Sequence, residues 1–144
     1  MVHDPLMQRH SLIVRGIWAT CLLIGGLSHA RTLIQHGLLW DYGGAAKASG
    51  IYWSSLTIID PAVAALLFVR PKVGIVGTIV LITTNVIHNV TVTALADTAG
   101  DFLARAANPF IGSQIVFMVF VLATARIAWL GVDDRRQPEP SRSV

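Results

Sequence analysis

The chain has 144 residues, of which 53% are hydrophobic and 13% charged, where a soluble domain carries about a quarter charged residues. A chain this short cannot hide so much apolar surface in a water-soluble core, so the surplus is predicted to face lipid and the chain to form one domain. The formal net charge of +3 rests on scattered basic residues, which excludes a nucleic-acid footprint, and the single cysteine, Cys21, excludes an internal disulfide and cysteine-based metal chemistry.

Four apolar stretches are predicted, at about 12–34, 51–69, 73–94 and 109–130. Each is long enough to span roughly 30 Å of hydrocarbon as a helix. Lipid satisfies no backbone polar group, so spanning segments are helices or closed barrels. These stretches are too long for barrel strands and do not alternate. The expected fold is therefore an all-α integral membrane protein, a four-helix bundle over residues 1–132. The first stretch also reads as a signal peptide ending at Ser28-His29-Ala30, but Arg15 interrupts its apolar run and apolar residues continue to Ile34. After it, the connection 36–50 is expected to be irregular. The second and third helices are joined by Arg70-Pro71-Lys72, a turn that makes them antiparallel neighbours. Between the third and fourth, residues 95–108 are expected to form a short surface helix, capped by Asp97, with Asp101 paired to Arg105 and ending at Asn108-Pro109. The polar residues 133–144 are expected to be a disordered cytoplasmic tail.

Lys and Arg set the orientation. Arg9, Arg15, Arg70, Lys72, Arg126, Arg135, Arg136 and Arg142 fall on one side, and Arg31, Lys47 and Arg105 on the other. The positive-inside rule puts the first group, and both termini, in the cytoplasm. Trp40, Tyr42, Tyr52 and Trp53 then mark the outer boundary, and Trp18 and Trp129 the inner one.

Polar side chains at membrane depth are costly and locate the bundle interior. Trp18, Gly25, His29 and Thr32 share a face of the first helix. Trp53, Thr57, Asp60 and Ala64 share a face of the second, where Pro61 cannot donate to the Thr57 carbonyl and should kink the helix. Asn85, His88 and Asn89 lie at i, i+3 and i+4 on the third, and Gln114 sits early in the fourth. With alternating chain direction, these groups occupy one slab in the outer half, with Asp60 at its floor. The inner half is expected to hold almost no polar groups.

An outward-opening pocket for a small apolar or lipid-like molecule follows from that slab. Asp60 and His88 are the candidate acid and base, and His29, Trp53, Thr57, Asn85, Asn89 and Gln114 the candidate ligand-binding residues, suited to isomerisation or a related proton transfer. The bland alternative is interhelical hydrogen bonding alone. The chain lacks a zinc-protease helix, a nucleophile elbow and a phosphate loop. Haem between His29 and His88, or a metal on His29, Asp60 and His88, fits the depths, but the sequence specifies no cofactor. Expected partners are membrane lipids and a small apolar ligand. Two rival functions remain: an accessory subunit of a larger membrane complex, docking through Gly25-Gly26 and Gly74 with Gly77, or an oligomeric proton-coupled transporter using Asp60.

Overall fold

The structure is a computed structural model that describes residues 5–38, 40, 42, 45–96, 100–102 and 108–133. The described residues hold four long helices: α1 (Pro5–His36), α2 (Lys47–Val69), α3 (Pro71–Leu95) and α4 (Pro109–Asp133). All four are long and apolar enough to cross a membrane. The shortest, 23 residues, spans about 35 Å at 1.5 Å per residue. Each helix packs on its neighbours in the ring α1–α2–α3–α4, and α4 closes back onto α1. Such an antiparallel ring brings the start of α1 and the end of α4 to one end, here called proximal; the α1–α2 and α3–α4 connections lie at the distal end.

The helices end where local chemistry requires it. Gly37, with φ of +83°, closes α1, and its N–H donates to the Leu33 carbonyl at 2.9 Å, a left-handed cap that favours glycine. Arg70 alone separates α2 from α3, and Pro71 opens α3, a position where the missing N–H costs nothing. The Asn108 side chain accepts from the Phe110 N–H at 2.9 Å. Asn108 therefore caps the start of α4, with Pro109 as its first residue.

The helices exceed their predicted bounds at most ends. α1 begins at Pro5 rather than near residue 12, and α4 carries on through Asp133, which the sequence had assigned to the tail. Helical hydrogen bonding does not stop where hydropathy falls, so short polar extensions remain helical. α2 runs through Pro61 without ending. The expected cap Asp97, the residue Arg105 and the tail from residue 134 onward lie outside the described residues.

Side chains divide by helix face. Trp18, Leu22, Leu56, Leu67, Ile75, Ile82, Val121 and Ala128 fill the centre. Leu27, Ile58, Ile87 and Val116 stand exposed, at 71%, 74%, 60% and 69%. A water-soluble bundle keeps that outward face polar; here it is apolar on every helix, as a lipid-facing surface requires.

Glycines set how closely the helices approach. A Cβ on Gly74 would stand 2.5 Å from the Leu66 carbonyl carbon and 2.6 Å from Leu67 Cα. One on Gly26 would meet Pro61 Cδ at 3.1 Å and Asp60 Cβ at 3.2 Å. One on Gly131 would meet the Met7 carbonyl at 2.6 Å and collide with Ser11 Cβ. Gly25, Gly26, Gly74 and Gly77 all face atoms of this same chain. They set close contacts within the bundle.

The proximal half overturns the expectation that it lacks polar groups. Ser11 is fully buried and donates to the Ala128 carbonyl at 2.7 Å. Arg15, 2% exposed, donates to the Leu67 carbonyl at 2.6 Å and the Ser11 carbonyl at 3.3 Å. Leu67 would ordinarily accept from residue 71, but that residue is proline, so its carbonyl is an orphan at the end of α2. The guanidinium supplies the missing donor across the α1–α2 interface. Trp18 also differs from expectation. It is a fully buried residue whose indole N–H donates to Thr124 at 3.1 Å, not an interfacial anchor.

Candidate functional site

The distal half contains a second polar layer, built by three helices. Asn89 on α3 is its hub. Its Oδ1 accepts from the Trp53 indole of α2 at 2.8 Å, and its Nδ2 donates to Gln114 Oε1 of α4 at 2.6 Å and to Asn85 Oδ1, one turn away, at 3.2 Å. Asn85 itself is buried. The expected face of Asn85, His88 and Asn89 does point inward, where Trp53, Gln114 and Tyr52 meet it.

His88 has a different setting. Its ring packs on Tyr52 with centroids 4.5 Å apart and meets Trp53 edge-on at 5.4 Å. Its Nε2 is buried without a hydrogen-bond partner, and so are the Tyr52 hydroxyl and the Thr57 hydroxyl. A buried polar atom left unpaired costs about 1–3 kcal/mol, and native structures rarely leave one without a water, ion or ligand. Two of these atoms belong to the Tyr52 and His88 rings, which meet across α2 and α3, and the third lies on Thr57 further along α2, next to the network that links Asn85, Asn89 and Gln114.

Asp60 lies seven residues below Trp53 on the same face of α2, two helical turns or about 10 Å deeper. It is 5% exposed. Its Oδ2 stands where a side chain on Gly25 would intrude, at 3.0 Å from an added Cβ. Among the described residues no hydrogen bond or ion pair reaches its carboxylate, though the Tyr52 hydroxyl is within electrostatic range. Thus Asp60 and His88 are not joined directly; Tyr52 is the side chain that stands in relation to both. Sequence spacing missed Tyr52, since at 100° per residue it lies about 80° off the Trp53–Asp60 face and reads as a boundary aromatic. The i, i+1 pair of aromatics at positions 52 and 53 was the available signal.

The remaining candidates fall at the edges. His29, half-buried, lies one turn beyond Gly25 on α1. No described side chain bonds it, and α1 and α3 are not ring neighbours. Ser113 is exposed and bonds the Phe110 carbonyl; Ser55 bonds the Tyr52 carbonyl. Among the described residues no three His, Cys, Asp or Glu side chains gather as a metal site.

The boundary aromatics extend inward as one run of ring contacts. His36 stacks on Trp40 at 4.0 Å, Trp40 meets Tyr42 at 4.6 Å, Tyr42 meets Trp53 at 4.8 Å, and Trp53 leads to His88 and Tyr52. Tyr42 holds a φ of +52°, an uncommon conformation for a side chain of this size. Gly50 lets it settle: an added Cβ there would meet the Trp40 carbonyl at 3.3 Å and the Tyr42 ring at 3.7 Å.

No family model, no curated protein and no solved structure matches this chain.

Proposed function

We propose that this chain is a multi-pass protein of a cell's inner membrane, with both termini cytoplasmic, whose distal, outward-facing half binds a small amphipathic molecule. The observation that carries this is the set of three buried, unpartnered polar atoms on Tyr52, Thr57 and His88. Interhelical bonding explains Asn85, Asn89 and Gln114, because each of them has its partner. It does not explain polar atoms buried with none. A ligand hydroxyl, carbonyl or amine entering between α2 and α3 would pair them. Binding is favoured over turnover, since no described contact couples Asp60 to His88 for proton transfer. Should the molecule be converted, Asp60, Tyr52 and His88 are the groups able to move a proton.

The orphaned atoms provide a clean test, because removing them breaks no bond within the protein. Tyr52→Phe and Thr57→Val should leave stability unchanged or slightly raised, since each deletes an unsatisfied buried hydroxyl. Native mass spectrometry of protein released in mild detergent should show an extra mass on wild type that both variants lose. A bare wild-type protein, or variants that keep the mass, would reduce the distal layer to structural bonding. Copurification with larger chains would instead favour an accessory subunit.

A further inference from the structure

The binding layer contains a buried carboxyl group without a partner among the described residues. Asp60 is almost wholly buried, and none of the described cations reaches it. Arg15, the buried arginine, directs its guanidinium at the Leu67 and Ser11 carbonyls. Leu67 is itself two turns proximal of Asp60. Arg31 is exposed, and His29, the nearest titratable residue on α1, lies a turn away with no bond to Asp60. A carboxylate in hydrocarbon is retained where it serves a partner. About two turns distal to it stand the packed rings of Tyr52 and Trp53 on α2 and His88 on α3, continued outward by Tyr42 and Trp40. A hard metal cation seeks six or more oxygens, and the layer offers few. A lipophilic organic cation is suited by aromatic walls, which attract it through their ring faces, and by one carboxylate at the floor.

We infer that the occupant of this layer is a lipophilic organic cation, an amine or quaternary-type onium, held by the Asp60 carboxylate beneath the aromatic rings of Tyr52, Trp53 and His88. This rests on the distal layer being a binding site. The carboxylate supplies the charge complement, Tyr52 and Trp53 the ring contacts, and the Thr57 hydroxyl a partner for any N–H the cation carries. The aromatic run from His36 to Trp53 offers successive ring surfaces between the distal connection and the carboxylate. A side chain at Gly25 would crowd the Asp60 carboxyl, since an added Cβ would stand 3.0 Å from Oδ2.

The test is a charge series on purified protein in nanodiscs of zwitterionic lipid, read by intrinsic tryptophan fluorescence and by the shift in Tm. The probes are tetraphenylphosphonium, the neutral triphenylphosphine oxide, and the anion tetraphenylborate. Wild type should bind the cation saturably and at least about tenfold more tightly than the neutral probe, and should reject the anion. Asp60→Asn should lose about tenfold or more in affinity for the cation while keeping its affinity for the neutral probe. Equal binding of cation and neutral probe, or no saturable binding of the cation, overturns the inference on wild type alone, whatever Asp60→Asn does to folding. Unchanged cation affinity in a folded Asp60→Asn protein overturns it equally. If a neutral or anionic mass copurifies and is lost in Thr57→Val, the binding site stands and the cation falls. If Thr57→Val and Tyr52→Phe change nothing, the site itself falls.

Discussion

Replacing Asn89 by alanine removes the hub of the distal layer in one step. Trp53 loses the acceptor at 2.8 Å and Gln114 the donor at 2.6 Å, both across helix interfaces, and Asn85 loses its bond within α3. Interhelical hydrogen bonds in membranes average about 0.6 kcal/mol, with an upper value near 1.7. Two of them put the loss at about 1.2 kcal/mol, and at most about 3.4 kcal/mol. For a bundle of this size, the smaller figure corresponds to a fall of roughly 5 °C in Tm. The assay is thermal unfolding in detergent of Asn89→Ala, Gln114→Ala and the double variant. The pair should show a coupling of about 0.6 kcal/mol, because the second substitution removes a group already left without its partner. Strict additivity, with no fall in Tm for Asn89→Ala, would refute the network. The same variant is a poor probe of ligand binding, since a ligand lost from a loosened bundle says nothing about contact; Tyr52→Phe and Thr57→Val avoid that confusion.

Gly74→Ala should destabilise by about 3 kcal/mol, the upper end for overpacking, because the atoms in its way are backbone at the α2–α3 turn and cannot rotate aside. Gly77→Ala, one turn along α3, should be tolerated, since its added Cβ would meet Val63 at an ordinary 3.5 Å; equal Tm values for the two would count against the close α2–α3 approach. Arg15→Met should cost about 1–3 kcal/mol by stripping the Leu67 carbonyl of its donor, and a stability titration in which the variant matches wild type would show that carbonyl to be satisfied otherwise. Tyr52→Phe and Thr57→Val should match or exceed wild type in the same unfolding measurement.

The four helices and their inward-facing polar positions were legible in the sequence. Apolar length and the cost of unpaired backbone in lipid dictate helices, and a 3.6-residue period puts Asn85, His88 and Asn89 on one face whatever the neighbours are. Trp53 and Asp60 are placed together by the same rule. Periodicity gives an angle on one helix and not a partner on another, however. So it could not assign Trp53 to Asn89, or set Tyr52 against His88. It also missed the packing roles of Arg15 and Trp18. Both stand near the proximal boundary, where a count of charges and aromatics takes them for topology and interface signals. Only the packed bundle reveals that Pro71 leaves the Leu67 carbonyl open within reach of Arg15, and that Thr124 on α4 faces the Trp18 indole. Local chemistry and the lipid solvent fix which segments are helices and which faces turn inward. The pairing of those faces, and so which polar groups are satisfied and which are left without a partner, depends on contacts between residues distant in the chain, and only the tertiary structure decides it.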